Sequence, residues 1–213
     1  IKDFTPIGLI GAVPHVLVVG KHLPVSNVKE LVSLGKSKPG KLSYGSAGVG
    51  ISNHMEGELL SSMPGVEMVH VPYTGGPSQA RGDLFEGRTD MLFDVLANAM
   101  PYIKEGRVKA IGVAQSRRSR LAPDLPTLAE SGLPGFDVMP WTGLLGPAGV
   151  DAAIVNELGA ALAETVTEPT MIDRLADVGI ESMGYSPRQF SEVLEQDARR
   201  WNDLARKAKI EID

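Results

Sequence analysis

The chain has 213 residues with a formal charge of −5, 43% apolar and 22% charged residues, and no cysteine. That balance is the one of an ordinary folded globular protein, large enough for one sizeable core or two small lobes, and it excludes disorder, disulfides and thiolate metal sites. The acidic pI, near 5.4, argues against nucleic acid as a partner, and no apolar run is long enough to cross a bilayer, so an anionic ligand must be held by local dipoles against the net field.

The first residue is Ile1 rather than Met, inside what reads as a strand, and no basic segment leads into an apolar one. The expectation is a fragment or a processed product. Residues 4–11 and 13–20 are two apolar extended runs separated at Pro14, with His15 after it, and both read as buried strands. Residues 24–35 then give a short helix capped by Ser26, with Val28, Leu31, Val32 and Leu34 inward, closed by Lys38, Pro39 and Gly40.

Residues 41–60, KLSYGSAGVGISNHMEGELL, read strand, glycine-rich turn, helix. Leu42, Ser43 and Tyr44 suit an extended segment, Gly45, Gly48 and Gly50 free the turn, and Ser52 or Asn53 can cap the helix that carries Met55, Leu59 and Leu60. The first amides of a helix have no partner within it and sit at the positive end of its dipole. A carboxylate or phosphate can therefore dock there, although no Lys or Arg lies between Gly45 and His54. The plainer alternative is a tight connection whose glycines only allow the turn.

Sharper motifs fit poorly. The span 45–50 suits a P-loop but is followed by Ile51 and Ser52 instead of Lys. Gly48, Gly50 and Asn53 spell GxGxxN rather than a dinucleotide fingerprint, and Tyr44, two before Ser46, denies a nucleophile elbow. Ser46 reads as a hydrogen-bonding hydroxyl.

Residues 66–71 form the next strand, and the loop 72–77, with Gly75 and Gly76, leads into a helix with Pro77 in its first turn. Strands at 89–94 and 108–115 flank a helix over 98–105. This alternation predicts a mainly parallel sheet with ligands at the carboxyl ends of its strands, where residues 45–54, residues 73–76 and Asp94 all lie. Residues 117–135 are a proline-punctuated connection with a short helix over 127–131, followed by an extended run, 136–147, around Trp141.

Beyond it the pattern is helical. Ile154, Val155, Leu158, Ala161, Leu162 and Val166 recur at helical spacing, a second helix covers 169–178 and stops at Gly179, and Ser186 with Gln189 opens a third. Phe190, Val193, Leu194, Trp201, Leu204 and Ala208 make its apolar stripe. These faces need a surface to lie on, and the strands before them already have their own helices. A second sheet is implied.

The ordered series Gly45-Ser46-Ala47-Gly48, His54, Val71-Pro72-Tyr73, Phe93-Asp94, Arg118-Ser119, LPTLAESG from Leu125 to Gly132, and Trp141-Thr142-Gly143-Leu144 resembles the Bug family. These are the extracytoplasmic solute receptors of tripartite tricarboxylate transporters. The resemblance runs from near Ile1 to the C-terminus. It implies an α/β, type II periplasmic-binding-protein fold, with two lobes of parallel or mixed sheet flanked by helices and the first lobe incomplete in this chain. It also implies a periplasmic receptor, neither enzymatic nor membrane-inserted and without cofactor or metal, that closes on a small amino, hydroxy or dicarboxylic acid and delivers it to membrane subunits.

By the same resemblance, residues 1–14 are a crossover strand, 15–137 the second, ligand-binding lobe, 138–147 the return crossover, and 148–213 a C-terminal helical part belonging to the first lobe. Ligand contacts carry over to Gly45, Ser46, Ala47, Gly48 and Gly50, to Tyr73, Thr74 and Gly75, and to Asp94. Where relatives have Ser after the last glycine this chain has Ile51, with Ser52 next as the available hydroxyl.

Read from the residues, Asp94 could accept hydrogen bonds from a ligand or cap the following helix, and Tyr73 could present its hydroxyl or pack. Arg81 reads as part of a solvated helix face, and His15, His22, His54 and His70, without metal-ligand spacing, read as structural. Two other functions suit the same pattern: a small α/β phosphate- or cofactor-binding enzyme using Ser46, His54 and Asp94, and a ligand-sensing regulatory lobe.

Overall fold

A computed structural model describes residues 2–63 and 66–210. Ile1 and residues 211–213, the ends of the first and last expected segments, lie outside them. In chain order the elements are β1 (Phe4–Ala12), β2 (His15–Gly20), α1 (Val28–Ser37), β3 (Leu42–Ser46), α2 (Ser52–Ser61), β4 (Met68–Pro72), α3 (Pro77–Phe85), β5 (Met91–Val95), α4 (Leu96–Lys104), β6 (Val108–Val113), β7 (Trp141–Pro147), α5 (Ala152–Thr167), α6 (Pro169–Asp177), β8 (Glu181–Tyr185) and α7 (Pro187–Ala208). The chain divides into two compact units, residues 14–139 with 204–213 and residues 1–13 with 140–203. Among the described residues no helix is long and apolar enough to cross a membrane.

The larger unit is built on a five-stranded sheet in the order β4-β3-β5-β2-β6. Strand β3 runs parallel to β4 and β5, whereas β2 pairs antiparallel with both β5 and β6. The sheet is thus mixed, with β2 inserted against the direction of the others. Nothing in β2 announces this: HVLVVG is buried at every position, and a strand covered on both faces reads as the same apolar run in either direction. The carboxyl ends of β3, β4 and β5 nevertheless share one edge, which is what places the site.

Two local expectations shift. Helix α1 is capped by Asn27, not Ser26: Glu30 N–H donates to Asn27 Oδ1 at 3.0 Å, and Ser26 N–H donates to Glu30 Oε2 at 2.7 Å. Asn27 thus caps the helix while the Glu30 carboxylate takes the amide one residue before the cap, half of a capping box with its return bond displaced. The helix expected over 127–131 is a single turn. Thr127 and Glu130 do exchange cap-like contacts, Glu130 N–H to Thr127 Oγ1 at 2.9 Å and Thr127 N–H to Glu130 Oε2 at 2.8 Å, but Gly132 at φ +122° turns the chain away, and Thr127 bridges to Val113 at the sheet.

Tyr44, Phe93 and Phe136 are among the large side chains fully buried in this unit. Phe93 and Phe136 stack at 5.6 Å between ring centroids. Tyr44 from β3 reaches under α2, where Gly57 leaves room for it; a Cβ at Gly57 would stand 2.1 Å from the ring.

The smaller unit contains the second sheet, antiparallel β7-β1-β8. Phe190 of α7 is fully buried, edge-on to Trp141 at 4.9 Å, and Trp141 Nε1–H donates to Asp197 at 2.7 Å. The expected box opens α7, with Ser186 N–H donating to Gln189 Oε1 at 3.0 Å. Strand β8, ESMGY, has no alternating apolar pattern, and only its pairing with β1 reveals it.

Filling the gap beneath α2 tests this packing. Gly57→Ala should lower unfolding free energy by about 1–3 kcal/mol, the usual range for forcing an extra carbon into a close-packed core. A gain of about 1 kcal/mol in a denaturant titration, the helix-propensity benefit alone, would show that Tyr44 is not held there.

Candidate functional site

The site begins where β3 ends at Ser46 and α2 starts at Ser52. Gly48 (φ +144°) and Gly50 (φ +81°) take backbone conformations that side chains rarely adopt. The N-cap position of α2 is Ile51, which makes no side-chain cap hydrogen bond. Neither Ser52 nor Asn53 caps the helix as expected. Ser52 is exposed in the first turn, and Asn53 reaches back so that its Oδ1 accepts Ala47 N–H at 3.3 Å.

Most of the main-chain donors expected between residues 45–51 and 73–76 are already engaged. Gly45 and Ser46 belong to the sheet ladder, Gly48 N–H donates to Ser46 Oγ at 3.2 Å, and Gly50 N–H donates to His54 Nδ1 at 3.0 Å. On the neighbouring loop, Tyr73 N–H donates to the Ser46 carbonyl at 2.9 Å and Gly76 N–H to the Tyr73 carbonyl at 3.1 Å, while Gly75 N–H takes Gln79 Oε1 at 3.2 Å. Among the described residues, the N–H groups of Val49, Ile51, Ser52, Asn53 and Thr74 find no acceptor. These open donors are fewer than the glycine pattern implied and displaced toward the helix start.

Beneath the turn lies a stack of rings. His54 and His70 are 3.9 Å apart between centroids, and Tyr44 adds to the stack 4.9 Å from His70. Ser46 is fully buried; its hydroxyl shares a hydrogen bond with His70 Nε2 at 2.6 Å and lies 3.0 Å from the Gly48 carbonyl. Burial, with His54 alongside, brings His70 down to about 4, so its ring is neutral near pH 7. This buried hydroxyl is a structural tether, and the serine, histidine and aspartate of the enzyme reading do not meet: Ser46 contacts His70 rather than His54, and Asp94 is engaged elsewhere.

Asp94, at the end of β5, is buried. Arg81 Nη1 donates to Asp94 Oδ1 at 3.0 Å and Oδ2 at 3.2 Å, and Val95 N–H donates to Oδ1 at 2.9 Å. Burial pushes the Asp94 carboxyl above its usual pKa, while Arg81, Val95 N–H and His15 pull it the other way. Arg81 is therefore not part of a solvated face; its side chain is 15% exposed, and it occupies the carboxylate that the sequence offered to a ligand. The periodicity of α3 carries no such information, because its apolar face is weak. Tyr73 packs rather than projects: it is buried, its ring lies against Gly45, and its hydroxyl donates to Asp83 at 2.7 Å.

The remaining histidines are structural partners. His15 Nδ1 meets the buried carboxylate of Glu56 at 2.7 Å; burial alone would lower His15, but Glu56 raises it above its ordinary value. His22 bonds Asp90 at 2.9 Å. Among the described residues no group of three or more His, Cys, Asp or Glu could hold a metal ion.

Comparison with known proteins shows what the whole chain is similar to. The family model described as the tripartite tricarboxylate transporter family receptor matches residues 1–210. A UPF0065 protein in the tcbD-tcbE intergenic region of Pseudomonas sp. (strain P51) is 36% identical over 204 residues, 95% of this chain and 60% of that relative. Among solved structures, Rpa4515 of R. palustris with adipate matches at a TM-score of 0.84 and 33% identity, over 98% of this chain and 70% of its own. MatC (Rpa3494) from Rhodopseudomonas palustris with bound malate matches at 0.78 and 33%, over 94% and 69%. The chain thus spans about three fifths of the curated relative and about 70% of the solved chains.

The Arg81–Asp94 pair generates a stability test. Arg81→Met strands a buried carboxylate and should cost about 3–5 kcal/mol. Adding Asp94→Asn to it should restore part of the loss, because the neutral amide removes the uncompensated charge. Equal stabilities for single and double variants in chemical denaturation would mean the pair is not buried as described.

Proposed function

The chain belongs to the tripartite tricarboxylate transporter receptor family, and from that premise we propose that it forms much of a periplasmic receptor for a small carboxylate. One carboxylate of an amino, hydroxy or dicarboxylic acid sits on the open amides at the head of α2 and on Thr74 N–H. The observation that carries this reading is a helix N-terminus with neither a cap nor an internal acceptor for its first N–H groups, at the shared carboxyl edge of three strands. Because the described donors at this turn are backbone amides rather than cationic side chains, selectivity between acids comes from shape and from the far end of the ligand.

The direct contacts in this reading are Val49, Ile51, Ser52, Asn53 and Thr74, with Gly48 and Gly50 giving the ligand close approach. Gly45, Ser46, Ala47, Tyr73, Gly75 and Asp94 act behind them by holding the two loops. Arg81 matters to ligand class. A bare Asp94 would repel a dicarboxylate, but one neutralised by a guanidinium does not, so a plain dicarboxylate such as the adipate of one structural neighbour is admitted alongside amino acids and hydroxy acids such as the malate of the other.

Residues 15–137 are assigned as the ligand-holding lobe, with residues 1–14 and 138–147 as crossovers and 148–203 as part of the first lobe, residues 204–213 grouping with the larger unit. The membrane subunits of a tripartite transporter receive the ligand.

One substitution separates helix capping from ligand binding. Ile51 has the extended N-cap backbone, φ −82° and ψ 167°, so Ile51→Asp should cap α2 and add about 0.5–2 kcal/mol of stability. The same carboxylate occupies the amides that the ligand needs. Calorimetry of the longest natural chain carrying these residues, titrated with adipate, malate and glutamate, should show binding of at least one acid and at least about tenfold weaker binding in the variant. Unchanged affinity in a stabilised Ile51→Asp protein would remove the amide site from consideration.

A further inference from the structure

We infer that His54 is the positioning residue of the glycine turn, and that protonating its ring releases the turn and the carboxylate it holds. The first half stands on geometry alone, and the second rests on the carboxylate reading. His54 is buried, and its Nδ1 accepts Gly50 N–H at 3.0 Å. That contact exists only while Nδ1 carries no proton, which fixes the neutral ring with its hydrogen on Nε2. Adding a proton sets two donors against each other and leaves the part-buried Gly50 amide without its acceptor.

The position of that amide gives the contact its leverage. Gly50 lies between Val49 and Ile51, two of the residues whose N–H groups are open, and its positive φ is part of the backbone path of the turn. A second imidazole holds the turn two residues earlier, since His70 meets Ser46 Oγ at 2.6 Å and Ser46 in turn binds the N–H and carbonyl of Gly48. The two rings stack at 3.9 Å, and like charges at that separation repel, so the turn is tied at alternate residues by a pair that is stable only when at least one ring is neutral.

The surroundings of His54 decide when it charges. From α2 itself, Glu58 Oε1 lies 3.8 Å from His54 Nε2 and is also bound by the Tyr44 hydroxyl of β3 at 2.5 Å; from β4 comes His70. The other acid on this stretch of α2, Glu56, faces His15, and Asp94 of β5 faces Arg81. Burial lowers the His54 pKa, and Glu58 offsets part of that shift. With the folded value below the ordinary one, the clamp is fully present above the ordinary histidine pKa and is lost as pH falls through the lower folded value. Below that point retention should weaken by up to about tenfold per pH unit.

The test has two arms. In the 213-residue chain, NMR of the His54 ring nitrogens and the Gly50 amide is followed from neutral pH to about pH 4. The Gly50 resonance should move along the His54 titration curve, and its exchange protection should fall with it. In His54→Asn, whose side-chain carbonyl stands near the Nδ1 position, the Gly50 signal should stay constant with pH; in His54→Phe it should be unprotected throughout. A Gly50 amide that ignores the ring, or stays protected in His54→Phe, overturns the positioning role.

In the second arm, adipate and malate are titrated into the longest natural chain carrying these residues at neutral and acid pH. Wild type should lose affinity on acidification by several-fold more than His54→Asn, which also controls for protonation of the acids themselves. Equal losses in both proteins overturn the release, whatever Gly50 does. No binding of either acid at any pH overturns the release together with the carboxylate reading, while the Gly50 data still judge His54.

Discussion

A turn that leaves backbone donors without partners in its own chain must still be kept from collapsing. Here the problem is solved by division. Alternate amides of the turn, Gly48 and Gly50, are bound from below by Ser46 and His54, and the amides between and after them are left open. An imidazole suits this task because its unprotonated nitrogen is an acceptor borne on a rigid ring that packs like a hydrophobe. The Tyr44–His70–His54 stack supplies both the packing and the acceptor positions.

The electrostatics behind the turn follow from burial. Asp94 and Glu56 are ionisable groups taken out of water within the same lobe, and each has a named partner, Arg81 for Asp94 and His15 for Glu56. Unpaired, either would have been costly, and an open negative charge at a strand end would also have opposed an anionic ligand. Pairing them lets the helix dipole act with little opposing field. The open amides at the head of α2 therefore stand, among the described residues, without an unpaired carboxylate from Asp94 or Glu56 behind them.

The division of labour between glycines is similarly physical. Gly48 and Gly50 are needed for their backbone angles, and a Cβ on Gly48 would meet nothing within 4 Å. Gly57 is needed for space, being the place where the Tyr44 ring lies against α2. One group shapes the surface of the site and the other seats the ring stack beneath it.

From the letters alone came the strand–turn–helix at residues 41–60, the strand–loop–helix after β4, the shared edge of β3, β4 and β5, the box at Ser186, and the need for a second sheet. All of these depend on local patterns: apolar spacing, glycine at turns, and side chains that reach only three or four residues. The family, too, was legible, because an ordered series of short motifs is a one-dimensional object. Tertiary structure alone decided the reversed direction of β2, the existence of β8, the burial of Tyr73 and Ser46, and the pairing of Asp94 with Arg81. It also decided which amides remain open. These are outcomes of pairings between residues distant in the chain or between donors competing for one acceptor, and neither the partner nor the winner of such a competition is written in the spacing of the residues that take part.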